Sequence, residues 1–472
     1  MPLLCTALIN RRNIEFTSQV MNSKSLCHIV AMPYPARGHS NPMMNLCKII
    51  ASRRHDILIT FVTEERLGYS SSSDSYPPNL TFAHIPKDIL PSEESHMADK
   101  LAFGNAVMTK MGAPFEQIVD ALHYPATTIL TDASISWAVD AANRRNIPVA
   151  ALWVVSASEL SIHCHLNLFR EKQFPTDLEE HENDIVNFIP GITPIRVGDL
   201  PRFFFKNGQN SAIDGWKFNL PISQIQYLLC VSVYELESQV YNFLRAKFNF
   251  PIYPSGPLIP YYTCKSSATT PDYIEWLNSQ PTSSVLYIAM GTVSSFSSDQ
   301  MDEMVAGLKS SGVRFLWVGR EDTSRLKDDC GDQGFVVPWC DQLRVFMHSS
   351  IGGYLTHCGL SSVFEAGIAG IPMLTFPMAG DQFTNGKLVV EDWKVGWRLR
   401  KQVGANYKLV AREAIAETVK TFMDINGSDR KELTERAKQF RQTIQRAIAK
   451  GGSSDTNIDA FIMDITQGHA HP

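Results

Sequence analysis

Two series of short, β-branched apolar runs, each followed by a helix-like stretch, fill this chain and confine it to one kind of architecture. In the first series Cys27-His28-Ile29-Val30-Ala31-Met32-Pro33 leads through Tyr34-Pro35-Ala36-Arg37-Gly38-His39-Ser40 into a helix expected to open at Asn41-Pro42, because proline suits a first helical position. Met43, Leu46, Cys47 and Ile50 then fall on one helix face. Ile57 to Thr63, Thr127 to Asp132 and Pro148 to Trp153 repeat the strand pattern. The second series runs through Ser284 to Thr292, Arg314 to Val318, Ile351 to Thr356 and Pro372 to Pro377. Strands alternating with helices require crossover connections, and those give largely parallel sheets covered on both faces.

Between the series, residues 251–271 cluster Pro and Ser as an interdomain linker does. The expected fold class is therefore α/β, two Rossmann-like doubly wound domains facing each other across a cleft. The expected boundaries are a loose N-terminal extension over 1–24, a first domain over 25–250, the linker over 251–271, a second domain over 272–450 and a closing helix over 451–472. Phe169 to Asn219, rich in Pro, Asn and charge, reads as loop and short helix over one end of the first sheet. Lys431 to Lys450 and Ser453 to Ile465 read as helices.

Composition excludes several classes. A net charge of −5 and no basic block interleaved with aromatics leave nothing to neutralise a phosphate polymer, so nucleic acid is not an expected partner. The nine cysteines are scattered without a Cys-x-x-Cys pair, which fits reduced thiols in a cytoplasmic protein. No apolar run is long enough to cross a bilayer. Arg11-Arg12 follows, rather than precedes, the apolar start of the chain, the wrong order for a secretory signal. The first strand does not enter Gly-x-Gly-x-x-Gly, which argues against a nicotinamide or flavin enzyme, and His-Glu-x-x-His and Walker motifs are absent.

The densest chemistry lies in the 44 residues from Trp339 to Gln382. There the buried run Ile351 to Thr356 turns at His357-Cys358-Gly359 into a helix that Ser361 or Ser362 is expected to cap. Its free N–H groups and positive dipole end suit a pyrophosphate. After the next strand, Asp381-Gln382 supplies a carboxylate and an amide for a sugar's hydroxyls. Taken singly, each residue has a plain structural reading: Trp339 as a core aromatic, His357 as a buried imidazole, Asp381 as a helix N-cap.

This block resembles the donor-binding signature of plant family 1 UDP-glycosyltransferases, which opens with Trp and Gln, carries His-Cys-Gly and ends in Asp-Gln or Glu-Gln. Its Trp-Cys-Asp-Gln opening and Leu-Thr-Phe-Pro run resemble the group 87 branch most. The resemblance implies the GT-B fold, with UDP-glucose as co-substrate bound in the C-terminal half and no resident cofactor or metal. It implies that Trp339 stacks on uracil, that Cys340 and Gln342 contact base and ribose, and that Glu365 accepts from ribose hydroxyls. Thr292, His357, Gly359 and Ser362 would face the diphosphate, and Asp381 and Gln382 the sugar, Gln382 favouring glucose. Where the family has Trp-Asn after His-Cys-Gly, this chain has Leu360-Ser361, and Ser361 would stand in for the Asn that helps hold phosphate.

An acceptor alcohol needs a base, and histidine is the side chain best poised for one near neutrality. His39, in a loop at the carboxyl end of the first strand, lies where open α/β sheets bind ligands, and its Pro-Tyr-Pro-Ala-Arg-Gly-His context resembles the family loop that carries the catalytic base. Asp132 ends another strand of that sheet and would orient the ring, or else cap the following helix. His163 and His165 lack a third ligand and read as structural. The expected protein is a monomeric, inverting O-glucosyltransferase acting on a small hydrophobic acceptor. The alternative is a degenerate relative that binds a nucleotide or small metabolite without turnover.

Overall fold

The computed structural model describes residues 26–69, 76–91, 100–172, 178–201, 222–259, 270–291, 296–319, 330–399 and 409–467. The N-terminal extension, Thr292 and residues 202–219 of the stretch read as loop and short helix lie outside the described residues. In chain order the strands are β1 (Cys27–Met32), β2 (Ile57–Glu64), β3 (Leu80–Ile85), β4 (Thr128–Asp132), β5 (Val149–Trp153), β6 (Ile185–Val186), β7 (Ile195–Arg196), β8 (Tyr227–Cys230), β9 (Ile252–Pro254), β10 (Val285–Ala289), β11 (Arg314–Val318), β12 (Gly334–Val337), β13 (Ile351–Thr356), β14 (Met373–Thr375) and β15 (Gly396–Arg398). Five helices carry the argument: α1 (Arg37–Arg53), α2 (Ala157–Cys164), α3 (Leu360–Ala369), α4 (Gln382–Lys387) and α5 (Ser453–Gln467).

One sheet runs β3-β2-β1-β4-β5-β8-β9 and a second runs β12-β11-β10-β13-β14-β15, with β6 and β7 a separate hairpin. Neighbours in both sheets are parallel throughout, and the hairpin is antiparallel. Every residue of β2, β4, β5, β10 and β13 is buried, which is why these strands read as continuous apolar runs rather than as alternating ones. In each sheet the order reverses beside the first strand of its series, between β1 and β4 and between β10 and β13. Those two switch points open crevices at the strands' carboxyl ends, the places where such sheets hold ligands.

Three expectations need correction. α1 begins at Arg37, not at Pro42, because Ala36 adopts an extended backbone and its carbonyl accepts from the N–H groups of His39 (2.9 Å) and Ser40 (2.8 Å). Pro42 lies inside the helix, and His39 belongs to its first turn rather than to a loop. α3 begins at Leu360 with Gly359 as its N-cap, so Ser361 and Ser362 sit in the first turn and cap nothing. The segment 251–271 is not all connector, since Ile252–Pro254 closes the first sheet as β9.

Among the described residues, two groups of contacts tie the halves together, beside a bond from Trp393 Nε1 to the Leu236 carbonyl at 3.2 Å. On α5, Phe461 packs edge-on against Tyr227 and Tyr253, and Asn457 donates to the carbonyl of Pro254 at 3.0 Å, so the last helix rests on the first sheet. Arg53 of α1 holds it through Asp455 and Asp459. On another side, Asp199 behind the β6–β7 hairpin takes a bidentate pair from Arg398 at 2.7 and 2.9 Å.

Candidate functional site

At the first switch point the carboxyl ends of β1 and β4 bring His39 and Asp132 together, with Nδ1 of the ring 2.7 Å from Oδ2 of the carboxylate. Asp132 is no helix cap: its Oδ1 accepts from the backbone N–H of Ser134 at 2.9 Å and from the Ser134 hydroxyl, which fixes the carboxylate from behind. Burial opposes the charge on Asp132, but His39 and Ser134 outweigh it and hold the carboxyl below its usual range. Burial likewise opposes charge on His39, yet the charge and hydrogen bond of Asp132, helped by Asp381, raise its pKa. The His39 side chain keeps 32% of its surface exposed while Asp132 keeps 2%, so Nε2 is the nitrogen left to face the cleft.

The second switch point is built around His357, which directly follows β13 and lies beside Gly291. A Cβ on either Gly291 or Gly359 would lie 2.5 Å from its Nε2, so two bare glycines give the imidazole edge room for a ligand's oxygens. Gly291 also needs its freedom for a φ of +77°, whereas Gly359 at −62° is required by space alone. Burial pushes His357 down to about 4, the Ala289 carbonyl pulling the other way, so the ring is neutral at pH 7 and donates from one nitrogen. Cys358 takes the left-handed φ of +69°, a strained choice for a residue with a side chain. Its N–H donates to Thr356 Oγ1 at 2.9 Å and its carbonyl accepts from Asn385 Nδ2 at 3.0 Å. This turn delivers α3 with the N–H groups of its first turn unused by the helix and pointing away from it, alongside Ser361 and Ser362.

Beside α3, Trp339 is 67% exposed, an aromatic platform rather than a core residue. Beneath it the chain is buried and wired: the Tyr287 hydroxyl lies 3.3 Å from Cys340 Sγ and donates to Gln342 Oε1 at 3.1 Å. The Gln342 amide in turn donates to Ser362 Oγ at 3.1 Å and to Glu365. Burial lifts the Glu365 carboxyl to about 7 despite that bond, with Asp341 adding to the rise.

Asp381 precedes α4 but makes no cap bond, and its Oδ2 accepts from Asn385 Nδ2 at 2.7 Å. Burial and the nearby charge of Glu159 push it up to about 7, against Asn385 and His39. Gln382 accepts through Oε1 from the N–H groups of Met378 and Ala379, both at 2.9 Å, which leaves its amide nitrogen to donate elsewhere. Because Asp381 and His39 feel each other's charge, the two switch points face one cleft. Sequence reasoning missed Tyr287, Ser134 and Asn385. Only Asn385 left a trace there, four residues beyond Asp381 on what reads as one helix.

A family model described as UDP-glucoronosyl and UDP-glucosyl transferase matches residues 229–430. UDP-glycosyltransferase 87A1 of Arabidopsis thaliana is 44% identical over 92% of this chain and 100% of its own length, and 87A2 of the same plant is 41% identical over 93% and 97%. Among solved structures, Phytolacca americana UGT2 complexed with UDP-2fluoro-glucose and pterostilbene has a TM-score of 0.78 at 23% identity, covering 93% of this chain and all of that one. Medicago truncatula UGT71G1 complexed with UDP-glucose has a TM-score of 0.76 at 25% identity, covering 93% and 98%.

Proposed function

Since the chain belongs to the plant family 1 UDP-glycosyltransferases, group 87 branch, and is a GT-B enzyme that transfers a glycosyl group from a UDP-sugar, we propose that the sugar is glucose and the acceptor a hydroxyl of a small hydrophobic plant metabolite. The observation that carries the mechanism is the 2.7 Å contact of His39 Nδ1 with Asp132, opposite Asp381. His39 Nε2 takes the proton of the acceptor hydroxyl as its oxygen attacks the anomeric carbon. The bond to the diphosphate breaks and its electrons leave with UDP. Attack from the face opposite the leaving group inverts an α-linked donor to a β-glucoside. Asp132 stabilises the imidazolium that forms.

On the donor side, Trp339 stacks on uracil, Cys340 and Gln342 line the base and ribose, and Glu365 accepts from ribose hydroxyls. His357, the bare Gly359, Ser361, Ser362 and the first turn of α3 receive the diphosphate, Thr292 joining them. Asp381 and the Gln382 amide nitrogen hold the glucose. UDP-glucose enters as co-substrate, and the scheme uses no resident cofactor or metal; the enzyme works as a cytoplasmic monomer. Among the described residues no helix is long and apolar enough to cross a membrane.

His39→Ala tests this reading. Turnover should fall by about 10²–10⁴-fold, the range a positioned base contributes, while UDP affinity in calorimetric titration stays within a few-fold. Retained turnover would remove His39 from the mechanism. A second reading, a degenerate member that binds nucleotide without turnover, is favoured by Leu360-Ser361, where Leu360 is buried in the core and only the Ser361 hydroxyl is left for phosphate. Turnover separates the two: UDP released from UDP-glucose with glycosylated product in the presence of an acceptor alcohol supports transfer, whereas micromolar UDP binding with no product from any acceptor supports the degenerate reading.

A further inference from the structure

In Ser156-Ala157-Ser158-Glu159 a serine is followed three residues later by a glutamate, the pattern that closes a helix N-terminus by two reciprocal hydrogen bonds. Only half of it forms. Ser156 Oγ accepts from the Glu159 N–H at 3.2 Å, but the Glu159 carboxylate does not return to Ser156. Its return is unnecessary, because the buried Glu237 already accepts from the N–H groups of Ala157 (3.1 Å) and Ser158 (2.7 Å) and from the Ser158 hydroxyl (2.8 Å). Glu159 is thereby released from capping α2.

Its carboxylate is nevertheless 2% exposed, and Oε2 has no hydrogen-bond partner among the described residues. Oε1 lies 3.6 Å from His163 Nε2, too far for a hydrogen bond. A carboxylate oxygen taken out of water without a partner is costly, and such groups persist where a ligand completes them. α2 starts just beyond the carboxyl end of β5, the strand paired with the one that carries Asp132, so Glu159 in its first turn stands at the cleft end of the first sheet, near enough for its charge to act on Asp381. Asp381 and Gln382 serve the sugar from the second half, so an acid on the first half meets the molecule that receives the sugar. Leu160 on the same helix and Trp153 at the end of β5 are apolar and buried.

We infer that Glu159 determines acceptor specificity by taking a hydrogen bond from a second hydroxyl of the acceptor, away from the one that is glycosylated. The inference rests on the transfer reading above and narrows its substrate class to apolar molecules with at least two hydroxyl groups.

The test is calorimetric titration of UDP-saturated full-length protein with naphthol and with the set of its dihydroxy isomers, for wild type, Glu159→Gln and Glu159→Leu. The wild type should bind at least one dihydroxy isomer about ten- to a hundredfold more tightly than naphthol, the range expected for a hydrogen bond to a charged group. Glu159→Gln, which keeps an acceptor oxygen but no charge, should retain part of that preference. Glu159→Leu should abolish it with naphthol affinity and UDP-glucose affinity unchanged. A wild type that prefers no dihydroxy isomer, a preference that survives in Glu159→Leu, or a loss confined to UDP-glucose affinity would each overturn the assignment. Should the leucine variant fail to fold, the near-isosteric glutamine variant decides alone. Loss of the preference in Glu159→Leu with glucoside still formed from naphthol supports both readings, whereas absence of product from every acceptor the wild type binds would count against the transfer reading and remove the premise of the assignment.

Discussion

At the scale of single residues, the charge on Asp132 sets both the position and the titration of His39. In the proposed mechanism His39 acts as the neutral imidazole, so kcat/KM is expected to fall as pH drops through its raised pKa. Asp132→Asn removes the charge that raises it. The acid limb of the kcat/KM profile should therefore move to lower pH, while the maximal rate falls because the imidazolium formed during transfer loses its partner. An acid limb that stays in place, measured in the same buffers, would show that another group controls it. This pair was legible in the sequence because Asp132 ends a buried strand and His39 follows another within a few residues, both at the carboxyl end of the sheet. Ser134, which locks Asp132 from behind at 2.9 Å, was not, since a serine in a turn carries no signal of which carboxylate it serves.

At the scale of elements, strand and helix identities could be read because burial on both faces leaves continuous apolar runs, as in β2 and β13. Helix starts could not. Neither Ala36 nor Gly359 offers a side-chain cap, so the proline and the serines that look like start signals lie inside the helices instead. The arrangement at α3 has a testable consequence. In Gly359→Ala the backbone, at φ −62°, accepts the methyl without strain, but the new Cβ falls 2.5 Å from His357 Nε2. The ring or the first turn must shift, at a cost of about 1–3 kcal/mol typical of overpacking. The expected result is a lower Tm and a UDP affinity reduced about tenfold or more, with the circular dichroism spectrum unchanged. Equal loss for a nucleoside without phosphates would place the damage at the base rather than at the diphosphate.

At the scale of the whole molecule, the two halves were visible as two series of strands, but the contact between them was hidden in the stretch from Phe169 to Asn219, which reads as loop. There the β6–β7 hairpin brings Arg196 and Asp199 against Glu391 and Arg398, and Thr193 against Lys387 and Asp392. No local pattern marks these residues, because the pairs Arg196–Glu391 and Asp199–Arg398 join positions 195 and 199 residues apart in the chain. Asp199 is fully buried, and Arg398 supplies two of its bonds as well as one to Glu391 at 3.0 Å. Deleting the guanidinium in Arg398→Ala strands a buried carboxylate, a change worth about 3–5 kcal/mol in comparable pairs. The pair itself contributes much less, since its attraction largely repays the loss of water around both charges. The single variant should therefore lose several degrees of Tm, and Asp199→Leu combined with Arg398→Met should recover most of that loss. Urea unfolding of both variants and the wild type measures the coupling. An Arg398→Ala variant as stable as the wild type would mean that the halves are held by α5 and its aromatic contacts, with the ion pairs as passengers on that docking.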